Sequence, residues 1–220
     1  MPRAPTTPEH ETLPYRPGES PFRVKGVFYR GSVEYIERTV PGGVRAVLGA
    51  IQGEALRGFL EQPFVAATFY DVFPLVALGY PSASLCGQPI DRFLRHRSRF
   101  QAEQQATTVY RSLLSLTSSA AIATKLPLLA SQLYNFGTTE VEQTGPSTVE
   151  VRRGGLPVEL LPWYVPGTES YLVTALRLSG AINPRVTSSA FRPDKKEHGL
   201  MTGALTHWLS WQPPAASRRP

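Results

Sequence analysis

Thr138-Thr139-Glu140-Val141-Glu142-Gln143, then Gly145-Pro146, then Thr148-Val149-Glu150-Val151-Arg152 is the stretch that decides the fold. Both flanking runs alternate apolar and polar residues, the period of a half-buried strand, and the Gly-Pro pair between them marks a turn. The reading is an antiparallel hairpin. Downstream, two more extended stretches run from Arg185 to Phe191 and from Met201 to Trp211, the latter with Leu205, His207, Leu209 and Trp211 at period two. The charged segment between them, Pro193 to Gly199, reads as a turn. Between hairpin and second strand pair, Pro157 to Val165 is aromatic and broken by prolines. Gly167-Thr168-Glu169 then leads into a helix with Tyr171, Leu172, Ala175 and Leu176 on one face, ending at Gly180.

Upstream of Asn135 the periodicity is helical. Residues 22–36 read as a short strand running into a helix. Pro41-Gly42-Gly43 opens a second helix, with Thr39 as its cap, and residues 54–62 continue helical. Phe64, Phe69, Tyr70, Val72 and Phe73 are dense enough for a buried helix, with Pro74 inside it or ending its first part. From Ile90 a long helix runs through Leu113, Leu114 and Leu116, and another covers about 118–134. The sum is an α+β protein: a helical N-terminal half packed with a four-stranded antiparallel sheet crossed by one helix.

Gly and Pro together make up 39 of the 220 residues. Prolines 2, 5, 8, 14, 17 and 21 crowd the start, and 213, 214 and 220 the end. Residues 1–21 and 212–220 are therefore expected as disordered tails around a single domain, 22–211, with a helical part to 134 and a sheet part from 135. At 41% hydrophobic and 10% aromatic, the remainder can bury a core. The formal charge is +6 and the pI near 9.7, which favours an anionic partner, but lysines are few and nucleic acid is not the preferred one. Cys86 is the only cysteine, so multi-cysteine zinc and iron–sulfur patterns are excluded and a reducing compartment fits. Neither a signal-like apolar segment nor an uninterrupted span is evident, so the chain is expected to be cytoplasmic and off the membrane.

The most conspicuous polar feature is Arg92-Phe93-Leu94-Arg95-His96-Arg97-Ser98-Arg99. On a helix, Arg92, Arg95, His96 and Arg99 form one stripe, while Phe93, Leu94 and Phe100 fall on the buried face. The stripe is the candidate site for an anion or an acidic partner, since guanidinium groups fit carboxylate and phosphate. The plain alternative is a solvated face with Glu103 a turn away. Trp163 and Tyr164, stiff and flanked by prolines, are the candidate rim of a ligand pocket, or else core cover. His10, His96, His198 and His207 are dispersed and match no metal spacing, and His207 reads as one face of the sheet. Cys86 lacks an identifiable partner, Gly-x-Ser-x-Gly and phosphate-binding loops are absent, and Glu140, Glu142 and Glu150 read as an exposed sheet face. No catalytic or metal residue is nominated, and no cofactor.

Short phrases carry a resemblance. Val24-Lys25-Gly26-Val27-Phe28, Glu61-Gln62-Pro63-Phe64 with Tyr70-Asp71-Val72-Phe73-Pro74-Leu75-Val76, and Tyr134-Asn135-Phe136-Gly137 resemble an uncharacterised paralogous family of about 200 residues, a common domain size, expanded in myxobacteria. The resemblance covers 22–211 and transfers no activity. More distantly, helices followed by strand–strand–helix–strand–strand are similar to haem nitric-oxide-binding domains and to vinyl-4-reductase-type ligand-binding domains. The haem domains hold the propionates with Tyr-x-Ser-x-Arg and the iron with a helical histidine. That motif does not occur here, nor do the cysteines of the vinyl-4-reductase type, so neither haem nor metal is carried over. The expectation is a non-enzymatic ligand- or protein-binding module of the sensor, adaptor or regulatory kind. Its partner is a protein or a small molecule, with a homodimer face also open. An enzyme with a site assembled from scattered residues is the alternative, and a DNA-binding regulator using the basic helix face is third.

Overall fold

The computed structural model describes residues 13–107 and 119–212. Contacts divide the chain into two compact units, residues 1–90 and 91–220. The division falls at the start of a helix, not at the change of periodicity near Asn135.

In the first unit, strand β1 (Arg23–Lys25) pairs antiparallel with β2 (Phe69–Asp71), Val24 opposite Tyr70. Around them stand helices α1 (Val27–Thr39), α2 (Gly43–Ala50), α3 (Glu54–Glu61) and α4 (Phe73–Leu85). Tyr29 stacks on Phe64 with ring centroids 4.1 Å apart, and Phe59 and Tyr70 meet the same ring edge-on.

Three expectations change here. The buried helix expected from Phe64 begins only at Phe73, because residues 69–71 are taken by the β1 pairing. Pro74 sits in the first turn of α4, where its missing N–H costs nothing. Thr39 does not cap α2; its hydroxyl bonds back to the Tyr35 carbonyl, and the α2 entry is made by Gly42 and Gly43, both at positive φ.

The third change is the N-terminal tail. Residues 13–21 are packed. Asp71 Oδ2 accepts the backbone N–H of Gly18 (3.0 Å) and Ser20 (3.4 Å), and its Oδ1 accepts that of Phe73 (2.9 Å), so one buried carboxylate ties this segment to the start of α4. Burial pushes the Asp71 carboxyl up from its ordinary range, opposed by those three donors. Tyr15 lies against Phe22 and Phe73. Proline richness reduced the entropy cost of fixing this segment rather than preventing it from docking. The C-terminal tail, 213–220, and the helical expectation at Leu113, Leu114 and Leu116 lie outside the described residues.

The second unit holds α5 (Ile90–Thr107, its first residue belonging to the first unit), α6 (Ser119–Leu133), β3 (Thr138–Gly145), β4 (Thr148–Pro157), a 3-10 turn (Val158–Leu160), α7 (Leu161–Leu178), β5 (Ile182–Ser188), β6 (Arg192–Glu197) and β7 (Leu200–Gln212). Every sheet pairing is antiparallel, in the order β3-β4-β7-β5. The expected hairpin forms, with Glu142 opposite Glu150. The α+β class holds, but the sheet has five strands, not four. The segment read as a charged turn is β6, and only His198 and Gly199, both at positive φ, make the turn. The thirteen-residue β7 is long enough to pair β6 along its first half and β5 along its second. Every residue of β6 up to Lys196 is exposed, so no apolar period could reveal the strand.

The crossing helix also starts earlier than expected. α7 begins at Leu161, with Pro162 in its first turn and Pro166 inside it. Leu172 and Leu176 on α7 join Leu126, Val149, Val151, Ala181, Leu209 and Trp211 in one apolar core.

Candidate functional site

The helical phase of α5 sorts its residues onto two faces. Arg92, Arg95, His96 and Arg99 are exposed, as expected, and Phe93 and Leu94 are buried; Phe100 is half-buried. What the basic run conceals is Arg97. It shares the inner face with Phe93, Gln101 and Gln105, each four residues on, and all four are buried. Arg97 donates to Gln101 Oε1 (3.2 Å) and Ser98 Oγ (3.1 Å), and its guanidinium lies 5.7 Å from the Trp163 ring. Gly167 of α7 lets the two helices come close here: a Cβ there would stand 3.1 Å from Ser98 Oγ.

Trp163 and Tyr164 are buried in the first turns of α7 and form no open rim. They wall this interior instead. Tyr164 lies 5.9 Å from the His207 ring and 6.2 Å from the Tyr134 ring, centroid to centroid. Tyr134, at the end of α6, is half-buried, and enclosure of its hydroxyl pushes its pKa well above the ordinary phenol range, with Tyr164 adding to the rise and Arg153 and Arg97 opposing it. Tyr171 donates to Gln105 Oε1 at 2.7 Å.

Arg153 enters from β4. The strand's alternation turns it inward, 2% exposed. It donates to the Phe136 carbonyl (2.7 Å) and to Thr139 Oγ1 (3.3 Å), and its guanidinium stands 5.1 Å from the Tyr134 ring and 5.6 Å from Phe136. Gly137 makes this possible: its φ is +71°, and a Cβ there would meet the Gly154 carbonyl and the Arg153 guanidinium. The phrase Tyr134-Asn135-Phe136-Gly137 is thus the clamp on a buried arginine. No carboxylate among the described residues pairs with it.

His207 enters from β7, 1% exposed. Ser188 donates to Glu169 Oε1 (2.7 Å), and Glu169 Oε2 is bridged to Arg95 (2.7 Å). Ser188 Oγ also lies 2.8 Å from His207 Nδ1. A hydroxyl has one proton, and here the carboxylate takes it, so Nδ1 carries the imidazole proton and Nε2 is a bare lone pair. Burial lowers the His207 pKa to about 4, with Glu169 opposing and Arg153 assisting. The order Glu–Ser–His does not activate a nucleophile, because nucleophilic triads place the imidazole between carboxylate and hydroxyl.

Four buried nitrogens of this cluster meet no hydrogen-bond partner among the described residues: Gln101 Nε2, Gln105 Nε2, Arg153 Nε and His207 Nε2. Buried polar atoms are nearly always satisfied, and a buried arginine without a carboxylate is costly.

No protein-family model matches the sequence, and no curated protein matches it. Solved structures do. A Cs H-NOX variant carrying an unnatural amino acid superposes with a TM-score of 0.62 at 7% identity, covering 87% of this chain and 98% of that one. An H-NOX of T. Tengcongensis gives 0.61 at 8%, covering 87% and 99%. An oxygen-binding H-NOX domain related to soluble guanylate cyclases gives 0.60 at 7%, covering 89% and 96%. The chain has the H-NOX fold.

The H-NOX likeness is one of fold, and the residues for haem do not accompany it. His96, the histidine of α5, is exposed, and Tyr-x-Ser-x-Arg is absent from the sequence. The residues present do not fit that group. Among the described residues no cluster of three His, Cys, Asp or Glu side chains stands ready for a metal, and no helix is long and apolar enough to cross a membrane.

Of the candidates read from sequence, Arg95 is tied to Glu169 and Arg99 to Glu103 (3.0 Å), leaving Arg92 and His96 on the stripe without such a bridge among the described residues. Gln101, Gln105, Tyr134, Arg153, Glu169 and Ser188 were not singled out as site residues by sequence. A polar series at every fourth residue continuing the face of Phe93 is the signal that was legible.

Proposed function

We propose that this chain is a non-enzymatic ligand-binding module of the sensor or adaptor kind, and that its ligand sits in the buried polar cluster of the second unit. The observation that carries the reading is the set of orphaned nitrogens on Gln101, Gln105, Arg153 and His207. A folded chain retains such groups at a cost in stability, and binding sites are where that cost is retained. Solved domains of this fold include one that binds oxygen, which supports ligand binding without naming the ligand. The cluster is hydrogen-bonding and aromatic, and among the described residues no activated nucleophile or general base is aimed at an open cleft, which favours binding over turnover.

The exposed stripe is the proposed contact for an acidic protein partner. It is a weaker candidate than the interior, because Glu169 and Glu103 neutralise two of its arginines.

Native mass spectrometry of the protein as purified, compared with its denatured mass, tests the reading. The expected result is a sub-stoichiometric or full adduct released on denaturation, lost in Gln101→Met. An adduct-free protein that no member of a small-molecule library stabilises against heat would contradict it.

A further inference from the structure

We propose that the ligand of this cluster is a small carboxylate with an apolar body. The inference rests on the ligand-binding reading above and adds the chemical class.

Hydrogen-bond bookkeeping decides the sign of the charge. Arg97 can only donate, so the atom of Gln101 facing it is the carbonyl oxygen, and the Gln101 amide nitrogen is left pointing elsewhere with two protons. Arg153 spends its two terminal nitrogens on a carbonyl and a hydroxyl, both neutral, and keeps Nε–H with no partner. Gln105 gives its oxygen to Tyr171 and likewise retains its amide protons. The surplus in this interior is therefore of donors, and it is cationic. A cation would meet the Arg153 guanidinium and a single free acceptor, His207 Nε2. A carboxylate accepts at both oxygens without donating, and one negative charge balances the Arg153 guanidinium.

The surroundings set the rest. The rings of Tyr134 and Phe136 stand against the Arg153 guanidinium, and Tyr164 lies against Tyr134 and His207, so the body of the ligand meets aromatic faces there. A phosphate dianion would lose more hydration on entry and would present no apolar body to the surrounding rings. His207 Nε2, the cluster's single surplus acceptor, takes a ligand hydroxyl where there is one.

The test uses the full chain and three carboxylates, benzoate, phenylacetate and hexanoate, each beside its neutral primary amide, with inorganic phosphate as a further arm. Binding is read by isothermal titration and by the shift in Tm. At least one carboxylate should bind saturably, its amide about tenfold or more weaker, and Gln101→Met and Arg153→Met should each weaken the acid about tenfold or more, the scale of one lost charge-assisted hydrogen bond. Gln101→Met carries the comparison if Arg153→Met does not fold. Binding of the amides as tightly as the acids, or of phosphate alone, would overturn the carboxylate while leaving a ligand site in place. Binding of none of them to a protein that still carries a native-mass adduct would also overturn it. Binding of none, with no adduct, would overturn both this inference and the reading on which it rests.

Discussion

His207 Nδ1 lies 2.8 Å from Ser188 Oγ, and the proton between them belongs to the imidazole. Because Ser188 gives its own proton to Glu169, the relationship fixes the neutral tautomer and turns Nε2 inward as an acceptor. Protonation would place a charge in a buried site beside Arg153, which is why the pKa falls to about 4.

The pH dependence follows with a definite sign. A folded pKa below the ordinary value of 6.5 means that the unfolded chain binds the proton first. The contribution is complete above about pH 6.5 and is lost as pH falls toward 4, up to about 3 kcal/mol. An NMR titration of the His207 ring should show a midpoint near 4. Urea unfolding at several pH values should show His207→Gln to be less acid-sensitive than the parent. A midpoint at the free-histidine value would show the His207 ring to be open to water and not buried.

Arg153→Met should change the stability of the ligand-free protein by less than about 1 kcal/mol. The bonds to Phe136 and Thr139 are lost, but a buried charge without a carboxylate is relieved. Chemical denaturation measures it. A loss above about 3 kcal/mol would mean that Arg153 is a structural keystone and not a group held for a ligand.

Asp71→Ala should cost about 3 kcal/mol, because three backbone N–H groups lose their acceptor at once. Deleting the chain through Ser20 should lower Tm too, since Tyr15 leaves Phe22 and Phe73. Unchanged melting in both variants would show the segment to be undocked.

On α5, Phe93→Ala should cost about 3–5 kcal/mol by cavity formation at a side chain 1% exposed. Arg92→Gln with Arg99→Gln should cost less than about 1 kcal/mol, as surface charges do. Thermal melts of the two variants separate the buried from the solvated face.

The sheet was legible where one face is wet and the other dry. Val149, Val151, Leu205, His207, Leu209 and Trp211 gave the period of β4 and β7 away, and all are buried. β6 was not legible, because exposure on both faces leaves only its pairing with β7 to hold it. β2 was not either: three residues of strand between apolar neighbours read like a helix until a partner strand is known. Two buried arginines were hidden for a related reason. Arg97 looks like one more member of a basic run, and Arg153 lies just past the alternating stretch that ends at Arg152, whereas the tertiary structure turns both inward. Trp163 and Tyr164, which the flanking prolines make either a pocket rim or core cover, are both buried in the first turns of α7.

In the proposed function, the unpartnered nitrogens of Gln101, Gln105, Arg153 and His207 face a bound molecule. Electron density in a crystal of the protein as purified tests it most directly. Density for a non-protein group is expected within hydrogen-bond distance of Arg153 Nε and Gln101 Nε2. Isolated waters or protein atoms at those two nitrogens would contradict it.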